Sequence, residues 1–251
     1  MEVGLITCYI GRSRYIKRIL ASFLAQDYEG HITLLLYHNG CATHELGKFD
    51  IPNNRKIILI NNCKDLTTNN SYTSTGAIFR DALSLLPKVD VVNFFDSDDL
   101  FLPNHVSEGV KGYLEGGKLA YKPKYSYHTY LDSFSLEENN MEPSVFVSYD
   151  HLKFMGFAEV SASYHQKWLT PLQTSKTIYD KEDGIPTFLY DWTRGHNTYK
   201  ISGAGDDSEI NFQNHRNWES SIIEETILTP ISGEELNKEY EKIRDNILCN
   251  K

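Results

Sequence analysis

Residues 89–103, VDVVNFFDSDDLFLP, decide how the chain folds. An apolar run rich in β-branched and aromatic side chains ends abruptly in a cluster of carboxylates, those of Asp96, Asp98 and Asp99. A short apolar run of this composition predicts a buried strand of a parallel sheet. Because ligands of open α/β sheets bind outside the carboxyl ends of such strands, the acidic cluster lies where a binding site is expected.

The spacing of these carboxylates favours a metal site. Like charges this close repel one another unless a cation binds them or one of them is protonated or hydrogen-bonded. Ligands that are all oxygen suit a hard divalent cation such as Mg²⁺ or Mn²⁺. Two simpler interpretations stay open: the acids favour the amino end of the helix that follows Pro103, or they form a solvated turn. A calcium loop is disfavoured, because the glycine and the later glutamate of an EF-hand are missing.

Composition bounds the class of protein. A chain of 251 residues, 40% hydrophobic and 24% charged, is ample for one large globular domain or slightly more. Its net charge of −9 argues against a surface that binds nucleic acid throughout, although a local basic groove stays open.

The cysteines and the hydropathy pattern predict a location. Cys8, Cys41, Cys63 and Cys249 are widely spread and lack zinc-site spacing, so free thiols in a reducing compartment fit best. The chain enters a strand-like run without a basic stretch ahead of it, and no apolar run approaches the roughly 18 residues of a membrane span. We therefore expect a cytoplasmic protein without a membrane span.

The order of predicted elements supports a parallel sheet. Strands and amphipathic helices alternate up to the acidic cluster as strand, helix, strand, strand, helix, strand, which implies parallel pairing with crossover helices. The predicted strands cover Val3–Ile10, Ile32–Tyr37 and Lys56–Ile60, and the helices begin near Ser13 and at Ser74 or Thr75.

The pattern after the acidic cluster is more mixed. A third helix is predicted from Val106 to Gly116, and a capping box at Ser232–Glu235 begins a C-terminal helix. Between these helices we predict Tyr-rich strands over 119–131, a polar loop over 136–142, a strand over 144–149, a helix from Lys181 through Trp192, a short strand over 198–202 and a loop over 203–217.

Several motifs together resemble the GT-A-fold glycosyltransferases, and most of all their family-two inverting group. The resemblance covers about the first 115 residues and continues more weakly to about residue 205. Asp96-Ser97-Asp98 matches the DxD signature, which is common alone but considerably more specific at the end of an apolar strand in this element order. The other matching segments are Thr7–Arg12 (TCYIGR), Ser22–Tyr28 (SFLAQDY) and Ser74–Ala82 (STGAIFRDA).

The resemblance implies a nucleotide-sugar donor, with UDP favoured, and Mn²⁺ or Mg²⁺. It implies that Asp98 binds the metal, while Asp96, with Ser97 beside it, contacts the ribose or reaches the metal through water. A late histidine, His215 or His196, would complete the metal shell. The remaining donor contacts it implies are Thr7 and Tyr9 in the first loop, Arg12 and Arg80 at the diphosphate, and Asn39 where the family has an acidic nucleoside contact.

The same resemblance implies where the catalytic base lies. The family carries a Glu-Asp pair at a helix start, and Glu182-Asp183 is similar, so Asp183 is the expected base and Asp191 the fallback. A helix amino end that simply favours acids is the alternative. For Arg12 and Arg80, solvated charges beside a helix are likewise an open alternative.

We therefore expect an α/β protein of GT-A type, with a mostly parallel sheet flanked by helices and a mixed C-terminal acceptor half. Residues 1–115 would bind the nucleotide-sugar, and residues 116–251 would bind the acceptor, a carbohydrate, a lipid-linked sugar or another hydroxyl compound. Transfer would invert the anomeric centre. Two alternatives stay open: a non-catalytic module that binds nucleotide-sugar or carbohydrate, and a phage-type enzyme that glycosylates modified DNA bases. A nucleotidyltransferase is disfavoured, since only residues 11–14 approach its Gly-rich basic loop.

Overall fold

The computed structural model describes residues 1–11, 13–131, 133–139, 142–160, 163–193 and 225–249. Along the chain its elements are β1 (Val3–Tyr9), α1 (Ser13–Leu24), β2 (Ile32–His38), β3 (Glu45–Leu46), β4 (Arg55–Asn61), α2 (Thr75–Leu85), β5 (Val91–Phe94), β6 (Leu100–Phe101), α3 (His105–Gly116), β7 (Ala120–Pro123), β8 (Tyr125–Leu131), β9 (Ser133–Glu138), a 3₁₀ turn (Glu142–Ser144), β10 (Phe146–Ser148), α4 (Tyr149–Met155), α5 (Gln166–Thr174), β11 (Ile178–Lys181), β12 (Phe188–Thr193), β13 (Ile227–Leu228) and α6 (Gly233–Cys249).

The main sheet has seven strands in the order β11-β7-β10-β5-β1-β2-β4. Strands β5, β1, β2 and β4 are parallel, with Val3 of β1 opposite both Ile32 and Val91. Strand β10 is antiparallel to both of its neighbours, β5 and β7, and β11 pairs with β7 in parallel. The predicted α/β fold with a mostly parallel sheet is confirmed.

Alternate residues of the strands feed two cores, one on each face of this sheet, because successive side chains of a strand point to opposite faces. Ile6, Val92 and Phe94 pack toward α2, α4 and α5, where Trp168 is fully buried. Leu5 and its neighbours on the other face pack toward α1 and α3. The result is a sheet sandwiched between helices, which leaves its two ends for loops.

A second sheet of four strands, in the order β6-β12-β8-β9, adjoins the acidic cluster. Strand β6 begins directly after Asp99, and Leu189 of β12 pairs with Leu100. Helix α6 covers this sheet: Leu236 and Ile243 pack with Leu189 in a third apolar cluster. Strands β13 and β3 form a separate two-stranded pair.

The helix caps behave as predicted. The Ser74 hydroxyl accepts a hydrogen bond of 3.2 Å from Ala77 N at the start of α2. Before α6, Glu235 N donates to Ser232 Oγ and Ser232 N donates to Glu235 Oε2, which is the reciprocal capping box. Helix α3 ends at Gly117 with φ of 56°, a left-handed conformation that glycine adopts at little cost.

Two predictions for the second half are wrong, and two helices were not predicted. The polar loop expected at 136–142 is largely strand β9 and the 3₁₀ turn, and helices α4 and α5 were not expected. The helix predicted from Lys181 is a turn followed by strand β12. Pro186 disfavours a helix through this segment, and β12 is hydrogen-bonded to β6 on one side and β8 on the other, so sheet pairing overrides helical spacing.

Among the described residues, no helix is both long enough and apolar enough to cross a bilayer. The strand predicted at 198–202 and the loop predicted at 203–217 lie outside the described residues.

Candidate functional site at the carboxyl edge of the sheet

The carboxyl ends of β1, β2 and β5 meet at one edge of the main sheet, because these strands are parallel and in register. Their last residues are Tyr9, His38 and Phe94. The loops that follow therefore lie side by side, and the acidic cluster at 96–99 is one of them. This is the position in which α/β sheets bind ligands.

The members of the acidic cluster have different environments. Asp96 and Asp98 are half-buried, whereas Ser97 and Asp99 are buried, at 6% and 1% exposure. Asp99 Oδ1 accepts a hydrogen bond of 3.1 Å from Asp191 N on β12. Asp99 therefore fastens the cluster to the second sheet, whereas Asp96 and Asp98 are its two partly exposed carboxylates.

The buried Arg18 links the acidic cluster to the second sheet. Arg18 of α1, with 7% exposure, donates from Nη2 to Asp98 O at 2.7 Å and pairs through Nη1 with Asp191 Oδ2 at 3.2 Å. Thr129 donates to the other oxygen of Asp191 at 2.9 Å. Asp191, the fallback base of the sequence analysis, thus has both carboxylate oxygens engaged, and the arrangement suits a structural role.

The residues predicted to contact the nucleoside are mostly turned inward. Thr7 is fully buried and donates from its hydroxyl to Phe95 O at 2.6 Å, which ties β1 to the cluster. Asn39 is 3% exposed, and both its backbone N and its Nδ2 donate to Tyr9 O at 2.9 Å. These two residues shape the edge of the site, and their direct contact with a nucleotide stays a prediction.

Two histidines that the sequence analysis did not single out lie beside Tyr9. The rings of His38 and His44 stack with centroids 3.9 Å apart, and Tyr9 Oη lies 3.2 Å from His44 Nδ1. Burial lowers the pKa of His44. His38 is also 3.2 Å from Asn61 Oδ1, so a compact aromatic and polar wall continues from β1 across β2 to β4.

Arg80 is already paired. Its guanidinium forms ion pairs with Asp65 at 2.8 Å, with Asp81 at 3.0 Å and with Glu159. Partial burial lowers the pKa of Arg80, but the hydrogen bonds that Arg80 donates to Asp65 and Asp81 outweigh burial and raise the pKa overall. This network joins α2 to the loop that precedes α5, and a role at a diphosphate would have to compete with three carboxylates. Arg12, His196 and His215 lie outside the described residues.

Asp183 does not begin a helix. It is exposed in the turn between β11 and β12, where Gly184 N donates to Lys181 O at 3.0 Å, and the adjacent Glu182 pairs with Lys124. The local similarity to the family's Glu-Asp pair therefore lacks the helix that accompanies that pair. The role of Asp183 as base stays a prediction.

A further group at this edge was missed by the sequence analysis. Glu142 and His165 approach to 3.0 Å, and the neighbouring Tyr164 stacks on Phe79 with ring centroids 4.7 Å apart. The only sequence signal was the position of His165 directly before the helical spacing of α5. Glu142 had none, because the pairing of β10 with β5 brings it to the edge.

The fit of a metal to these residues can be judged from the donors. Among the residues that the structure describes, no group of three or more His, Cys, Asp or Glu side chains could hold a metal ion. The half-buried oxygens of Asp96 and Asp98 do fit Mg²⁺ or Mn²⁺ of the kind that takes one or two carboxylates and completes its shell with phosphate oxygens and water.

Comparison with known proteins supports the fold assignment. No family model and no curated protein matches the chain. The structure is similar to S. aureus TarS 1–349 in complex with UDP-GlcNAc, with a TM-score of 0.54 and 16% identity over 99% of this chain and 67% of that one. It is also similar to the same fragment with UDP, with a TM-score of 0.54 and 14% identity over 77% of this chain and 60% of that one.

A longer TarS structure matches with a TM-score of 0.53 and 14% identity over 75% of this chain and 36% of that one. The chain thus spans between about a third and two thirds of the TarS chains it matches. TarS is a GT-A family glycosyltransferase, so the predicted resemblance and the GT-A-like fold are confirmed. At this level of identity, the likeness shows the fold.

Proposed function

We propose that the chain is a glycosyltransferase that moves a sugar from a nucleoside diphosphate sugar, with UDP as the favoured nucleotide, to an acceptor hydroxyl. The observation that carries this proposal is the pair of half-buried carboxylates, Asp96 and Asp98, at the carboxyl end of the central strand β5 in a GT-A-like sheet. The TarS structures solved with UDP and UDP-GlcNAc support the choice of donor.

The shape of the edge suggests how the donor lies. Tyr9, His38 and His44 are only 4%, 1% and 4% exposed, so this aromatic cluster would support the edge beneath a nucleoside and not stack on it openly. The acidic cluster lies after the neighbouring strand β5, where a diphosphate would reach it. The sugar would then point toward the second sheet and the segment before α5, which is the proposed acceptor side.

A divalent cation would be held by Asp98, with Asp96 contacting it through water or binding the ribose, and His215 is a further candidate ligand. When bound, such a cation neutralises the charge of the departing diphosphate. The chain's own contribution is to fix the two carboxylates. Arg18 holds the Asp98 carbonyl and Asp99 holds β12, so the cluster keeps its shape before the donor arrives.

Direct displacement at the anomeric carbon would invert its configuration and would require a base for the acceptor hydroxyl. Asp183 and Asp191 are the candidates from the sequence. The acceptor itself would be a carbohydrate, a lipid-linked sugar or another hydroxyl compound. The net charge of −9 disfavours a DNA acceptor. A steep loss of activity with added salt would instead indicate that the acceptor is DNA.

The test is a thermal-shift panel of UDP-sugars with Mn²⁺, followed by product analysis. A UDP-sugar at about 100 times its Kd should stabilise the protein by about 2.7 kcal/mol. Asp98→Ala should lose this donor-dependent stabilisation. The matched control, Asp90→Ala, removes an exposed carboxylate at the amino end of the same strand and should keep it.

Two results would contradict the proposal. If no nucleotide-sugar stabilises the wild-type protein, the donor assignment fails. If Asp98→Ala is stabilised as strongly as the wild type, the metal role of Asp98 fails. Binding of a UDP-sugar without release of UDP or transfer of sugar would instead identify a non-catalytic binding module.

A further inference from the structure

A histidine and a glutamate form an ion pair at the edge where the proposed donor binds. His165 Nδ1 lies 3.0 Å from Glu142 Oε1, and the two side chains are 17% and 12% exposed. His165 directly precedes α5, and its carbonyl accepts from both Trp168 N and Leu169 N, which fixes the backbone of the histidine. The site described above uses neither residue.

The fold brings Glu142 to the acidic cluster. Because β10 runs antiparallel to β5, the residues that precede β10 lie beside those that follow β5. Asn93 of β5 fastens this approach: its Nδ2 donates to Pro143 O at 2.8 Å and to Val145 O at 3.1 Å. Glu142 is therefore held at the carboxyl end of β5, where Asp96 also lies.

The electrostatics place the pair in the same neighbourhood as Asp96. The pKa of Tyr164 is raised by burial, and the charges of Glu142 and Asp96 raise it further. Tyr164 also interacts with Glu142 by a side-chain hydrogen bond and packs against the ring of His165 with centroids 5.4 Å apart. The charges of Asp96 and Glu142 therefore both act on the Tyr164 hydroxyl.

His165 turns its Nδ1 toward Glu142, so Nε2 is the ring nitrogen that can accept a proton. Burial raises the pKa of Glu142, but the side-chain hydrogen bond from His165 outweighs burial and holds that pKa below its usual range, so Glu142 stays a carboxylate. A carboxylate at Nδ1 favours the tautomer with its proton on Nδ1 and its lone pair on Nε2. Since Nδ1 itself is buried, the exposed part of His165 lies elsewhere on the side chain.

We propose that His165 is the general base of the transfer and that Glu142 is its positioning residue. This inference rests on the proposed function. The acceptor O–H proton passes to His165 Nε2 as the acceptor oxygen bonds to the anomeric carbon. The bond from the anomeric carbon to the phosphate oxygen breaks, and its electron pair leaves with the nucleoside diphosphate.

The geometry favours His165 over the two carboxylates suggested by the sequence. Asp191 already accepts from Arg18 and Thr129, and Asp183 lies exposed in a turn. His165 has the arrangement that general bases share, in which one ring nitrogen is held by a carboxylate, and its side chain is 17% exposed.

The experiment measures UDP release from UDP-GlcNAc in Mn²⁺, with water as the acceptor, across a pH series. His165→Gln should lower kcat by about 10²–10⁴-fold and leave the KM for UDP-GlcNAc nearly unchanged. The matched control is His151→Gln, a histidine on α4 whose Nε2 lies 3.2 Å from the α5 carbonyl of Trp168, and it should keep kcat near the wild-type value. Asp183→Asn, which removes the base suggested by the sequence, is measured in parallel.

Glu142→Gln separates positioning from a merely structural role. It should lower kcat less than His165→Gln does and leave the KM for UDP-GlcNAc nearly unchanged, because the imidazole remains but loses the carboxylate that orients it. An unchanged kcat in this variant, or a loss that appears only in KM, would remove Glu142 from the proposal. Near-normal kcat in His165→Gln, or a large loss in Asp183→Asn alone, would overturn the assignment of the base. If the wild type neither binds UDP-GlcNAc nor releases UDP from it, the donor assignment in the proposed function is wrong, and the assignment of the base is not what failed.

Discussion

Replacing Arg18 by methionine should destabilise the protein strongly, even though Arg18 touches no proposed substrate. The change leaves the carboxylate of Asp191, which is 8% exposed, without its ionic partner, and it removes the 2.7 Å hydrogen bond to Asp98 O. Breaking a buried ion pair from one side typically costs about 3–5 kcal/mol. At about 2–4 °C per kcal/mol for a chain of this size, the melting temperature should fall by about 6–20 °C.

The assay is thermal unfolding followed by circular dichroism, with Lys17→Met as the matched control. Lys17 lies one position earlier on α1 and pairs with Glu225 at the surface, where the partner is 71% exposed, so its loss should cost at most about 1 kcal/mol. Replacing both Arg18 and Asp191 by apolar residues should cost less than the sum of the single changes. If Arg18→Met costs no more than Lys17→Met, the reasoning about the buried pair is refuted.

Two further outcomes are expected from the described packing. Burial lowers the pKa of His105 to about 3, and a hydrogen bond to the backbone of Thr187 opposes this only in part. The unfolded chain therefore binds more protons than the folded one between about pH 6.5 and pH 3. The free energy of unfolding should therefore fall as the pH falls through that window. Urea titrations at several pH values should show a shallower dependence of this free energy on pH for His105→Asn than for the wild type, and an equal dependence would contradict the argument. A Cβ at Gly109 would lie 2.1 Å from Phe146 Cε2, in a buried ring, so Gly109→Ala should cost about 1–3 kcal/mol in denaturant unfolding. Gly233→Ala has no atom within 4 Å of the added Cβ and serves as the control, which should change stability by less than about 1 kcal/mol; equal effects of the two changes would refute the packing argument.

The first half of the fold follows from local sequence, because its signals are periodic and uninterrupted. The apolar run before Asp96 is β5, and the spacing of Ile16, Ile19 and Phe23 marks the buried face of α1. On the same helix, the charge of a residue did not predict whether its side chain is exposed. Arg18 lies beside that stripe and is buried, because an acceptor for it arrives from β12, far away in the chain.

The second half could not be predicted in the same way, because its pairings are non-local. The segment around Phe188 and Leu189 carries apolar residues that fit either a helix or a strand, and only its neighbours β6 and β8 decide between the two. Glu142 and His165 are separated by 23 positions, and neither has a local pattern that indicates the other. Their pairing depends on the antiparallel course of β10 along β5.

That course of β10 also bears on how the chain is made. Strand β5 has β1 on one side and β10 on the other, so the centre of the sheet is closed only when residues 146–148 have joined it. During synthesis, the strand that carries the acidic cluster presents an open hydrogen-bonding edge while more than 50 further residues emerge, and open apolar edges invite pairing with other chains. Residues 1–115 therefore need the later strands to cover the open edge of β5. A division of the gene near residue 115 would separate a strand from its neighbour rather than one domain from another.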